Sequence, residues 1–151
     1  MTERLERIEN YIYNKGIELI NYNFKSDNLK AICSDGIIAL SSKIENTREK
    51  ICILAEELAH IEINVGNISE NPKEELKARA LAYKKLIGFE GIIASYKYGC
   101  ISRYEMAEYL EVTETFLDEA LKWYTSKYGA YIVYKNYKIQ FIPNLSVSKI
   151  A

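Results

Sequence analysis

The sequence predicts an α+β protein in which a short antiparallel sheet lies beside a helical bundle. Short runs of strand-forming residues flank an Asp-Gly pair near the N-terminus, and a second alternating segment lies near the C-terminus. Between them, apolar residues recur at steps of three or four over several long stretches, which is typical of amphipathic helices. Hydrophobic residues make up 48% of the 151 residues, so the chain can bury a sizeable core.

The N-terminal part of the chain predicts one helix followed by three strands. Apolar residues recur at helical spacing over residues 3–15, and Gly16 ends that pattern. Strand formers then dominate three runs, which are residues 17–24, 29–33 and 37–41. Asp35-Gly36 separates the last two runs and predicts a hairpin turn.

Two long helices are predicted in the middle of the chain. The first is capped by Asn46 or Thr47, ends at about Ile63 or Asn64, and is followed by the helix-stopping pair Gly66 and Asn67.

The second helix covers residues 73–87 and follows a loop that contains Pro72. Residues 88–98 either extend this helix or start a new one, since Gly88 and Gly91 weaken the helical pattern there.

The C-terminal part predicts two further helices and a hairpin. Ser102 and Glu105 fit a capping box at the start of the first helix. Residues 111–113 join it to the second, and Lys135-Asn136 forms the turn of the hairpin. Pro143 is expected to end the regular structure.

The bulk composition excludes several classes of protein. Twenty basic residues face 21 acidic ones, so the chain lacks the basic surplus of a protein built mainly to bind nucleic acid. The three cysteines are odd in number and form no C-x-x-C pair, which predicts reduced, mostly buried thiols in a cytoplasmic protein. The charged N-terminus has no apolar segment of a signal peptide. We also expect no membrane span, because no apolar run approaches about 20 residues.

The segment with the clearest chemistry lies on the first long helix. Glu56 and His60 are four residues apart, so their side chains lie one above the other. The pair lies on the side of the helix opposite its main apolar stripe, yet Cys52 and Ile53 flank it there. A helix that is apolar on both sides is expected to be buried on both sides. The same spacing holds zinc in H-E-x-x-H helices, where the glutamate between the ligands is the general base. Glu56 and His60 would then be ligands and Glu57 the base.

A third ligand is available at the start of the next helix. Glu75 lies 15 residues beyond His60, which is the only histidine, and Glu74 is the fallback. The alternatives stay open, because an exposed charged helix can produce the first motif by chance. An acidic first turn, favoured by the helix dipole, also explains both glutamates.

These motifs resemble the ImmA/IrrE metallo-endopeptidase family, in particular its short members from phages and integrative elements of Gram-positive bacteria. The likeness extends from about residue 16 to residue 143, and its segments are residues 53–60, 75–82, 104–113 and 137–143. It implies a zincin-like fold with a metallopeptidase-like core over residues 1–98. Residues 99–151 would be a helix-turn-helix-like segment and hairpin packed as one unit with that core.

The resemblance also implies a function. Glu56, His60 and Glu75 would hold zinc, and Glu57 would be the catalytic base. The partner would be a helix-turn-helix repressor of a phage or mobile element, encoded nearby and cleaved in the cytoplasm.

The sequence departs from the family pattern at three positions. Glu56 stands in place of the first histidine, as in the short phage-type members, Ala59 replaces a usual glycine, and Ile61 stands where a second histidine is common. Two anionic ligands would make zinc a weaker Lewis acid. The alternative is therefore a weak or inactive peptidase-fold protein that regulates by binding a repressor or antirepressor.

Direct DNA binding through residues 102–127 is a third interpretation. It is disfavoured because Glu114, Asp118 and Glu119 lie near the start of the would-be recognition helix, where acids repel phosphate.

Overall fold

The computed structural model describes residues 3–63 and 72–150 and confirms the α+β class. These residues form two compact units, of which the first ends at Ala82 and the second begins at Tyr83. The helices are α1 (Glu3–Asn14), α2 (Thr47–Ile63), α3 (Pro72–Leu86), α4 (Phe89–Tyr98), α5 (Arg103–Leu110) and α6 (Glu114–Tyr128). The strands are β1 (Glu18–Tyr22), β2 (Ala31–Ser34), β3 (Ile37–Ser41), β4 (Tyr131–Tyr134), β5 (Tyr137–Gln140) and β6 (Ser146–Lys149).

The first unit contains a three-stranded sheet in the order β1-β3-β2. The predicted hairpin of β2 and β3 is confirmed, and both turn residues, Asp35 and Gly36, have positive φ as a tight turn requires. The prediction of an antiparallel sheet is wrong for β1, which pairs in parallel with β3. Strand β2 runs opposite to both β1 and β3, so β1 and β3 run in the same direction. Strand β1 pairs with the edge of β3 that is not occupied by β2.

Helix α2 begins where the sequence predicts. The Asn46 Oδ1 atom accepts a hydrogen bond of 3.1 Å from the Glu49 N–H, so Asn46 is the capping residue. The helix packs against α1 and β2. Its buried residues lie on one broad face, and they are Ile51, Cys52, Leu54, Ala55, Leu58 and Ala59. Ile53, on the side of Glu56 and His60, is only partly buried, so the predicted burial of the second side is present only in part. The predicted stop at Gly66 and Asn67 lies outside the described residues.

Helix α3 begins at Pro72, which the sequence analysis assigned to the preceding loop. Proline suits the first helical position because its fixed φ is helical and its missing N–H needs no partner there. Ala78 and Ala82 are fully buried on this helix. A separate helix, α4, then starts after Gly88, so residues 88–98 restart the helical structure rather than extend α3.

The second unit has the predicted cap at Ser102 and the predicted hairpin of β4 and β5. The Ser102 Oγ atom accepts a hydrogen bond of 3.1 Å from the Glu105 N–H at the start of α5, which confirms Ser102 as the cap. In the core of the unit, the Tyr124 hydroxyl donates a hydrogen bond of 2.6 Å to the Ile87 carbonyl, and both residues are buried.

The C-terminal sheet has the order β4-β5-β6 and is antiparallel. The expectation that Pro143 ends the regular structure is wrong, because β6 follows it and pairs Val147 with Ile139. Only Val147 of this strand is buried, so its alternation is too short to be recognised as a strand in the sequence.

Candidate functional site

Three ionisable side chains of α2 lie in the first unit at the place that the motif predicts. Glu56, Glu57 and His60 are all partly buried, between the fully buried Ala55, Leu58 and Ala59. Partial burial of charged groups is costly unless they are paired, protonated or bound to a cation. The three side chains therefore form a polar site on an otherwise largely buried helix.

His60 and Glu75 meet across two helices. The His60 Nε2 atom lies 3.0 Å from the Glu75 Oε2 atom, and the two side chains are 25% and 44% exposed. The second Glu75 oxygen, Oε1, lies 3.4 Å from the Arg79 Nε atom one turn further along α3. Glu75 is thus held between a histidine and an arginine, and the predicted pairing of α2 with the start of α3 is present.

Glu57 lies close enough to this pair to be affected by its charge. Burial, followed by the negative charges of Glu56 and Glu75, raises the pKa of the Glu57 carboxyl to about 7. A carboxyl group of this kind exchanges its proton near neutral pH, which is what general base catalysis requires.

Cys33 on β2 is a neighbour of Glu57 that sequence reasoning did not find. Burial raises the pKa of the Cys33 thiol to about 11, and the Glu57 carboxylate adds to the rise. The thiol is therefore neutral at physiological pH. No sequence signal relates Cys33 to Glu57, because the fold of β2 against α2 brings the two together.

Arg79 is a second residue of the site that the sequence analysis gave no role. Its spacing of four residues from Glu75 on one helix was the available signal. Glu74, the fallback ligand, has one carboxylate oxygen, Oε2, that is buried without a hydrogen-bond partner among the described residues.

Two of the predicted ligands, His60 and Glu75, have donor types and a separation that suit one zinc ion. Two donors at about 2.0–2.1 Å from a tetrahedral zinc ion lie about 3.3 Å apart, which is close to the observed His60–Glu75 separation. Within residues 3–63 and 72–150, no group of three or more histidine, cysteine, aspartate and glutamate side chains is arranged to hold a metal ion. The structure thus brings two of the three predicted ligands together and does not bring Glu56 into the same group.

The cysteines form no disulfide. Cys33, Cys52 and Cys100 are free, with Cys52 buried and the other two partly buried. Among the described residues, no helix is long and apolar enough to cross a membrane.

The described residues thus form an α+β fold in which a histidine–glutamate pair joins α2 to the start of α3, with the partly buried Glu57 carboxyl nearby. The chain also matches the sequence family described as the IrrE N-terminal-like domain, peptidase M78, over residues 14–122. This match covers more than two thirds of the chain, and the chain belongs to the ImmA/IrrE family. No curated protein and no solved structure matches it.

Proposed function

We propose that this chain is a zinc-dependent endopeptidase of the ImmA/IrrE type that cleaves a helix-turn-helix repressor of a phage or mobile element. The observation that carries the proposal is the 3.0 Å approach of His60 to Glu75 in a chain of this family. Two residues from different helices supply the imidazole and carboxylate donors that zinc accepts. The repressor would be encoded near this chain, and the reaction would take place in the cytoplasm.

Each residue of the site has a role in this proposal. His60 and Glu75 hold the metal, and Glu56, one turn before His60, is the third expected ligand. Zinc, when bound, polarises the substrate carbonyl and acidifies water. Arg79 orients Glu75 through its 3.4 Å contact with Oε1.

Glu57 moves the proton. Its position three residues before His60 places it on the same side of α2, within one helical turn. Glu57 takes a proton from the attacking water and gives it to the leaving amine, as a positioned general base and acid.

A second candidate function is binding of the repressor or an antirepressor without cleavage. The observation that favours it is that His60, Glu75 and Arg79 already satisfy one another, while no group of three donors is assembled among the described residues. In this case the site would be a fixed polar network on a peptidase scaffold.

Incubation of the zinc-supplemented chain with the repressor encoded beside it distinguishes the two functions. We expect cleavage at a defined peptide bond, which mass spectrometry of the products identifies. Glu57→Gln should abolish cleavage while it retains binding of the repressor in a pull-down. Glu45→Gln, which changes an exposed carboxylate before α2, is the matched control and should cleave normally.

An intact repressor that nevertheless remains bound to the wild-type chain would contradict the endopeptidase and support the binding protein. Cleavage that persists in Glu57→Gln would contradict the role of Glu57.

A further inference from the structure

Two successive segments of the second unit each carry charges of a single sign. Residues 105–119 contain six acidic residues and no basic one, whereas residues 120–150 contain five lysines and no acidic residue. The near-zero net charge of the whole chain conceals this asymmetry. One of these lysines, Lys135, pairs with Glu90, and the others remain available to attract a partner of opposite charge.

Two lysines converge on the single tryptophan of this unit. The Nζ atoms of Lys84, near the end of α3, and Lys127, in the last turn of α6, lie 5.3 Å and 5.0 Å from the centre of the Trp123 ring. Ammonium groups at this distance from an indole form cation–π interactions. The ring itself packs edge-on against Tyr124, with 5.1 Å between ring centres, and in a tilted arrangement against Tyr83, with 6.2 Å.

The two ammonium groups lie next to each other without a counter-ion. Both Nζ atoms lie within 5.3 Å of the same ring centre, so the two positive charges repel each other. Among the residues that the structure describes, neither lysine forms an ion pair. Burial, and then the charge of Lys127, lower the pKa of Lys84 below its usual range.

The acidic residue nearest to this pair along α6 is already engaged. Glu119, one turn before Trp123, accepts a hydrogen bond of 3.4 Å from the Tyr83 hydroxyl. Two cations near one ring that no carboxylate of the described residues neutralises would attract an anion, because a bound anion would offset their mutual repulsion.

We propose that Lys84, Trp123 and Lys127 form a docking site for an acidic segment of a protein partner, with carboxylates bound by the two ammonium groups. This inference goes beyond the proposed peptidase function and does not depend on it, since all three residues belong to the second unit and none of them is in the candidate zinc site.

An acidic peptide fits the site better than a nucleic acid. Single-stranded nucleic acids are held by open aromatic faces on which bases stack, but both ammonium groups lie over the Trp123 ring. The acidic residues at the start of α6, Glu114, Asp118 and Glu119, would also repel a continuous phosphate backbone. A short peptide with two or three carboxylates can contact the two lysines without reaching these acidic residues.

The only tryptophan of the chain is in the site, so its fluorescence reports binding there directly. The full chain would be titrated at low salt with a short glutamate-rich peptide, and in parallel with the glutamine version of that peptide and with oligo-dT. We expect a saturable change in Trp123 emission with the glutamate peptide alone, and weaker binding at high salt.

Charge-neutral variants test whether the effect is local. Lys84→Gln combined with Lys127→Gln should lower the affinity for the peptide by about tenfold, which corresponds to about 1.4 kcal/mol of binding free energy. Lys138→Gln combined with Lys149→Gln removes the same charge from the C-terminal sheet and should leave the affinity within about twofold.

Three results would overturn the proposal. These are the absence of an emission change with the glutamate peptide, an equal loss of affinity in both double variants, and tighter binding of oligo-dT than of the peptide.

Discussion

Replacing Glu57 by glutamine should stabilise the metal-free protein above neutral pH. Burial, then the charges of Glu56 and Glu75, raise the pKa of Glu57 from its usual 4.5 to about 7. Each pKa unit corresponds to about 1.4 kcal/mol, so the ionised carboxylate destabilises the folded state by up to about 3 kcal/mol. Because Glu57 is only partly buried, solvent screening reduces this value, and we expect Glu57→Gln to add about 1–3 kcal/mol.

The sign of the pH dependence follows from the same values. Between pH 4.5 and about 7 the folded state binds more protons at Glu57 than the unfolded state does. The stability of the wild-type chain therefore falls as the pH rises through this window. Glutamine does not ionise, so the advantage of the variant should be small below pH 4.5 and largest above pH 7.

Urea unfolding of the chelator-treated protein at pH 4.5 and pH 8 measures this difference. A gain of 1 kcal/mol also corresponds to about 2–4 °C in melting temperature for a chain of this length. Glu45→Gln, at an exposed position before α2, is the control and should change stability by less than about 0.5 kcal/mol at either pH. If Glu57→Gln is no more stable than the control at pH 8, or if its gain is the same at both pH values, the electrostatic account of the site is wrong.

Three further predictions concern the packing around the site and the second unit. Tyr124→Phe should destabilise the chain by about 1–3 kcal/mol in denaturant unfolding, because it leaves the buried Ile87 carbonyl without its 2.6 Å hydrogen bond; an unchanged midpoint would show that water replaces the hydroxyl. Asn46→Ala should cost about 1 kcal/mol by removing the cap of α2, whereas Asn46→Asp should cost much less, and equal losses in both would exclude capping as the cause. Cys33 should react with iodoacetamide at pH 8 far more slowly in the folded chain than in urea, because its thiol has a pKa of about 11, and site-resolved mass spectrometry follows the reaction. An equal rate in both states would contradict the partial burial and raised pKa of Cys33.

The parts of the fold that depend on local chemistry could be predicted from the sequence. Asn46 caps α2 because its side chain reaches the helix N-terminus within three residues, and Asp35-Gly36 forms the hairpin turn because it tolerates positive φ. The parallel pairing of β1 with β3 could not be predicted, because it depends on which edge of the hairpin is left open. β6 was missed because only Val147 marks its buried side.

The candidate site, like the fold, has some features that local sequence rules predict and others that depend on tertiary packing. The spacing of Glu56, Glu57 and His60 on one helix, and of Glu75 with Arg79 on the next, follows from helical geometry. Glu75 was named as a ligand because it lies at the start of the following helix, but no local rule fixes where two consecutive helices cross, so its 3.0 Å contact with His60 depends on the tertiary fold. The proximity of Cys33 to Glu57 depends on how β2 packs against α2, and no pattern in the sequence encodes it.

The metal content of the chain shows directly whether His60 and Glu75 are zinc ligands. The wild-type chain, stripped with chelator and dialysed against zinc, would be analysed by native mass spectrometry together with His60→Ala, Glu75→Gln and the control Glu49→Gln. We expect a single zinc ion bound to the wild type and to the control, and its loss from both His60→Ala and Glu75→Gln. A wild-type chain that binds no zinc, or variants that retain it as tightly as the wild type, would contradict the assignment of His60 and Glu75 as metal ligands.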